Sequence, residues 1–303
     1  MVMTDPENFF LPQPEDLLVN LADSYDLVIN LLDNLPQYFV KSTQVESCFI
    51  TALQCANSVI KSIGGKMVFF QVSQMVLRHP KLQQAANKNQ KPGAERTDLF
   101  SSANAFFKNT GVELAHGQIS FDLFTFSHGK KAYKNLKTFS DIPVHSNGNL
   151  YYYPEFNART QGLKFSNELY HNLTRKIAWE SVFRIRLSSG FNQLECFGNV
   201  QIKAKTQDLV LAPTMDSDRI IVYEFEKAND TAAQADQSGR LQRISKRFLF
   251  VQSALLYSTS DGQRRIRSHS IAIPISQIIN EVYDYMDVVA TSCFLARKAL
   301  NMA

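Results

Sequence analysis

Two arginine pairs are the best-spaced binding groups in this sequence. In Phe183-Arg184-Ile185-Arg186-Leu187 the arginines stand two apart in an alternating apolar stretch, so a strand would send both side chains from one face. Arg265 and Arg267 repeat that spacing within Gln263-Arg264-Arg265-Ile266-Arg267. A guanidinium pairs bidentately with a carboxylate or phosphate, and a charge-assisted bond of this kind contributes about 1.5–3 kcal/mol when sheltered from water. Exposed pairs contribute far less. On spacing alone, a solvated strand face held by internal salt bridges explains both pairs; a grip on an acidic segment needs more than spacing.

Other chemistry can be tested and set aside. Ser62-Ile63-Gly64-Gly65-Lys66 joins glycines to a lysine, but a phosphate loop follows a strand and opens a helix, whereas these glycines end a helical pattern and precede a strand. The six histidines, His79, His116, His128, His145, His171 and His269, include no H-x-x-x-H or H-E-x-x-H pair, so metal binding has no local ligand frame. No G-x-S-x-G elbow occurs. Cys48, Cys55, Cys196 and Cys293 form no C-x-x-C pair, which predicts buried reduced thiols rather than disulfides or a structural zinc site. Asp122 closes an apolar run and reads as a turn or capping carboxylate. Catalytic residues: none are predicted, and no metal or cofactor is expected within the chain.

The elements that must position the arginines come in two kinds. Hydrophobic residues make up 45% of the 303 residues and charged residues 20%, a globular composition long enough for about two domains of roughly 150 residues each. No apolar run reaches the ~18 residues that span a bilayer, and the N-terminus lacks a signal-peptide layout, which predicts a cytosolic protein. The net charge of +4 favours an acidic partner without naming one. The first half alternates helix and strand patterns, as in an α/β layer with a mainly parallel sheet. Helical stripes occur at 23–35, closed by Pro36, and at 43–63, closed by Gly64-Gly65; further helices are predicted at 99–110, ended by Gly111, and at 130–139. Strands are predicted at 66–72, 118–125 and 149–153, with polar loops at 80–98 and 227–239.

After Trp179 the pattern is all-β, with strands at 181–187, 193–203, 208–212, 219–225, 247–257 and 263–273. Ser188-Ser189-Gly190 and Ser260-Asp261-Gly262 read as hairpin turns. From Ser276, a predicted N-cap, one helix with Ile279, Val282, Met286, Val289, Ala290 and Cys293 on a single face is expected to reach Ala303. Such a face implies a longer parent chain or docking on the β half.

In this order the motifs FFLPQPEDLLVNL (9–21), IKSIGGKMVFF (60–70), QISFDLF (118–124), NLYYYPEF (149–156), FRIRLSSGF (183–191), FGN (197–199) and VQSALLYSTSDGQRRIR (251–267) resemble the cargo-adaptor subunit of the COPII vesicle coat. The resemblance implies α/β plus all-β architecture: a partial von Willebrand A-like trunk over 1–176, a β-sandwich over 177–275 and the start of a helical domain over 276–303. It implies a non-enzymatic coat component of endoplasmic reticulum to Golgi transport, cytoplasmic and peripheral on the membrane. Its partners would be the GTPase-activating COPII subunit, acidic export signals in cargo tails and anionic membrane, with no nucleic acid. By position in FRIRLSSG, Arg184 and Arg186 match arginines that bind Asp-x-Glu signals, and Leu256 matches an apolar residue of the same pocket. Arg265 and Arg267 match no cargo residue and are expected to be structural or membrane-facing. The family's zinc-ribbon lies outside this sequence. The alternatives are the GTPase-activating subunit itself and a basic nucleic-acid-binding module.

Overall fold

The computed structural model describes residues 18–43, 47–72, 105–127, 136–202, 209–227 and 247–302. The predicted loop at 80–98, most of that at 227–239, and the helix positions Val45 and Leu99 lie outside them.

In the first half β1 (Gly65–Gln71), β2 (Ile119–Phe126) and β3 (Leu150–Tyr153) form a parallel sheet in the order β1-β2-β3. The central β2 is buried along its whole length, which is why it reads as a nearly unbroken apolar run. Its alternate residues feed two cores. Ile119, Phe121 and Leu123 pack with residues of α2 (Phe49–Ile60), α3 (Ala105–His116) and α4 (Leu136–His145), among them Phe49, Leu53, Phe107, Leu114, Phe139 and Ile142. On the other face Phe124 and Phe126 stack on Tyr151 and Tyr153 of β3, with ring centroids 4.3 and 5.0 Å apart, beneath Phe165 and Leu169 of α5 (Ala158–Thr174). Each large apolar side chain so buried contributes about 1.5–3 kcal/mol.

Four expectations need correction, three of them in this half. α1 (Tyr25–Phe39) continues through Pro36; the helix is exposed there, so water can bond the Leu32 carbonyl that proline leaves without a donor. α3 does not stop at Gly111. A Cβ there would lie 2.9 Å from the His145 Cβ and 3.0 Å from the Ile142 carbonyl oxygen, so this glycine is the close-contact point that seats α4 against α3. α5 was not predicted; it starts on Asn157, whose side chain accepts from the Arg159 N–H at 2.9 Å. The thiols are unpaired, but Cys48 and Cys293 are exposed rather than buried.

The second half is antiparallel. β4 (Ala178–Leu187), β6 (Gln201–Ile202), β7 (Leu209–Met215), β9 (Phe248–Ser258) and β10 (Arg264–Pro274) form one sheet in the order β10-β9-β4-β7-β6. β5 (Phe191–Phe197) and β8 (Val222–Lys227) form a second pair. Phe183 of β4 meets Tyr223 of β8 across the gap, ring centroids 6.1 Å apart. The turn at Ser260-Asp261-Gly262 is the predicted hairpin, with Gly262 at φ 80. Ser188-Ser189-Gly190 is not a hairpin: it carries the chain from one sheet to the other, and β4 pairs with β7 and β9 instead. The predicted strand at 193–203 divides into β5 and β6.

The single C-terminal helix is two, α6 (Ile279–Asp284) and α7 (Val288–Met302). Asp287 starts the second, its Oδ1 accepting from the Val289 and Ala290 N–H groups at 3.0 Å. The expected stripe does not pack: Ile279, Val282 and Val289 are exposed. α7 instead sets Phe294 against Phe197 of β5, at 5.8 Å, and Lys298 on Glu224 of β8, at 2.8 Å. Among the described residues no helix is long and apolar enough to cross a membrane.

Candidate peptide-binding face and the buried seam

Strand register decides which arginines act together. Phe183, Ile185, Val210 and Leu255 point to the side covered by β8, so Val182, Arg184 and Arg186 leave β4 on the outer side. On β9 the residues opposite them are Leu256, Ala254 and Gln252. The predicted trio of Arg184, Arg186 and Leu256 is therefore on one face, both arginines exposed and Leu256 half-buried. Arg265 and Arg267 pair with Tyr257 and Leu255 and project from the opposite face. Arg265 donates to its neighbour Gln263 at 2.6 Å. Arg264, on the outer face, is held by Glu180 at 3.2 Å, where Glu180 at φ 49 marks a bulge in β4. Equal spacing in sequence thus hides opposite placement in the sheet.

A second polar cluster, where the two halves meet, was not foreseen. Asp122 is not a strand-end cap: it lies within β2, 1% exposed, with Oδ2 3.0 Å from the Lys66 ammonium. The same oxygen accepts from the Asn172 side chain at 2.8 Å, and Oδ1 accepts from the Asn149 N–H at 2.6 Å. Lys66 also donates to the Asn172 carbonyl at 2.9 Å. Burial pulls the Lys66 pKa below the ordinary lysine value and Asp122 opposes the shift. With both oxygens engaged inside the protein, Asp122 serves architecture. A lysine opening one apolar run and an aspartate inside another were the available signal, since opposite charges in two buried strands need each other.

The turn Ser146-Asn147-Gly148-Asn149 extends the cluster to the β half. Arg219 donates to the Asn147 carbonyl at 2.8 Å, the Asn147 side chain donates to the Thr214 carbonyl, and Asn199 donates to the Gly148 carbonyl at 3.3 Å. Arg175, just past α5, pairs with Asp216 at 3.0 Å, both nearly buried. Burial lowers the Arg219 pKa, with Asp216 and Asp122 opposing. Gly148 has no substitute: a Cβ would come within 1.8 Å of the Phe121 carbonyl oxygen. His171 and Asp218 add an exposed contact of 2.6 Å at the rim.

Comparison with known proteins bears on the whole chain. Residues 1–173 match the Sec23/Sec24 trunk domain and residues 178–276 the Sec23/Sec24 beta-sandwich domain. The chain is 34% identical to protein transport protein Sec24A of Mus musculus over 99% of its own length, and 32% identical to protein transport protein SEC24 of Dictyostelium discoideum over 100%. It spans only 26% and 28% of those proteins. The crystal structure of the human COPII-coat protein Sec24c superposes with a TM-score of 0.78 at 22% identity, covering 93% of this chain and 36% of that one. With family models matching both its α/β half and its β half, this chain belongs to the Sec23/Sec24 family.

Proposed function

We propose that this chain acts as a COPII cargo adaptor without enzymatic activity, taking acidic export signals of membrane cargo on the outer face of its β half. The observation that carries the reading is the Arg184–Arg186 pair on one exposed face with Leu256 beside it. Two guanidinium groups at strand spacing suit an Asp-x-Glu segment, whose alternate side chains project to one side when extended. Similarity to proteins named for protein transport and COPII supports the setting. In that setting the trunk pairs with the GTPase-activating coat subunit, and the basic surface adds weak attraction to anionic lipid. One tail binds weakly to an exposed site; many coat copies on one membrane raise the effective concentration enough for sorting.

Fluorescence anisotropy with a labelled Asp-x-Glu peptide tests this. The wild-type chain should bind saturably, and an Arg184→Glu, Arg186→Glu variant with unchanged circular dichroism should not. Equal binding by both proteins would refute the site.

A further inference from the structure

One residue decides which side of β9 meets the arginines. β4 keeps step with β7: Trp179 lies opposite Thr214, Ser181 opposite Ala212 and Arg184 opposite Leu209. Against β9 it carries an extra residue. Trp179 lies opposite Ser258 and Val182 opposite Leu256, so Glu180 and Ser181 together face Tyr257. Closing that bulge from Trp179 onward would slide β9 by one residue and leave Arg184 opposite Ser253 instead of Ala254. A one-residue slip exchanges the two faces of a strand, so Leu255 rather than Leu256 would join Arg184 and Arg186.

The bulge stands on Glu180, whose φ of 49 lies in the left-handed region that a glutamate rarely adopts. Pro213, the β7 residue level with it, has no N–H to offer it. The contact that holds it comes from β10. Arg264 Nη1 donates to the Glu180 carboxylate at 3.2 Å and to the Glu180 carbonyl at 3.4 Å, and also to Ser258 Oγ at 2.8 Å on the strand that faces the bulge. One guanidinium thus ties the side chain and the main chain of the strained residue to β9 and β10. The side chains of the pair are 60% and 43% exposed, so it adds little to overall stability. Its place is at a strained residue, where such a conformation persists only when the surroundings over-determine it.

We propose that Glu180 and Arg264 are positioning residues for acidic-peptide binding: by holding the bulge they fix the register that brings Leu256 to the arginine face, without touching the peptide. This rests on the acidic-signal reading of that face. Loss of the contact lowers the population of the bulged register and, with it, the apparent affinity. A glycine at position 180 adopts the left-handed conformation with no such support.

Anisotropy titrations of the labelled Asp-x-Glu peptide on the full chain separate backbone from charge. Two double variants, Glu180→Gly with Arg264→Ala and Glu180→Ala with Arg264→Ala, carry the same net charge and lack the same ion pair. With circular dichroism unchanged, the glycine variant should bind within about twofold of wild type and the alanine variant about fivefold more weakly, the cost of keeping a non-glycine residue in the left-handed region. Equal binding by the two variants overturns the proposal and leaves the acidic-signal reading intact: equally tight, the contact is dispensable; equally weak, Glu180 or Arg264 meets the peptide directly. Failure of the wild-type chain to bind the peptide overturns that reading and this one with it.

Discussion

The seam between the two halves and the outer face of the sheet use the same residue types to opposite ends. In the seam, Lys66, Asp122, Arg175 and Asp216 have side chains exposed by 10% or less and are matched in pairs. On the face, Arg184 and Arg186 are exposed beside a half-buried Leu256. A charge taken out of water must be matched inside the protein, and once matched it fixes geometry. A charge kept at the surface costs little to the fold whatever its local contacts, and stays within reach of a ligand. Burial, rather than residue type, separates architecture from recognition in this molecule.

The contrast predicts unequal damage. Asp122→Ala strands a buried ammonium and should lower stability by about 3–5 kcal/mol in urea unfolding. Joining Lys66→Met to Asp122→Leu should restore much of the loss; no recovery would break the claim that an unmatched charge is the cause. Gly148→Ala would set a Cβ 1.8 Å from the Phe121 carbonyl oxygen, forcing that main chain to move, and should lower the thermal midpoint, with a cost of about 3 kcal/mol. In the Arg184→Glu, Arg186→Glu variant stability should stay within ~0.5 kcal/mol of wild type while peptide binding disappears; a large loss would erase the distinction between the regions. The smallest effect belongs to Asp218 at the exposed rim. His171 beside it holds its carboxyl below the ordinary value of 3.8, so its contribution is present above that value and fades as pH falls through the lower folded-state pKa. Asp218→Asn should slightly flatten the acid limb of a stability–pH curve and leave neutral stability nearly unchanged.

Local signals in the sequence were legible where they governed local outcomes. The apolar runs of β1 and β2, the Asn149–Tyr153 strand and the hairpin at Gly262 could be read because period and turn chemistry act over a few residues. α5 escaped because only a narrow stripe, Phe165 and Leu169, packs inward while Leu163, Tyr170 and Leu173 are exposed. Gly111 read as a stop because its true neighbour is His145 on another helix. Pairing between distant segments was the illegible part. Ser188-Ser189-Gly190 has the composition of a hairpin turn whichever sheet the next strand joins, and neither Lys66 nor Asp122 announces the other. The face at Arg184 and Arg186 was legible as a spacing, and the motif resemblance added Leu256; that all three share one face appears only once β4 and β9 are in register.

The crossing at Ser188-Ser189-Gly190 also carries a consequence in time. Because β4 turns away from β5, its hydrogen-bonding partners arrive late: Arg184 pairs with Leu209 and, much later in the chain, with Ala254. Loop-closure entropy must be met before such distant pairings stabilise anything, so a fold built on them forms slowly. On a ribosome β4 would emerge well before β9, its Phe183 and Ile185 without a sheet to enter until β7 and then β9 follow. The slow phase in refolding of this protein should therefore report closure of β9 onto β4, and with it the assembly of the face that joins Leu256 to Arg184 and Arg186.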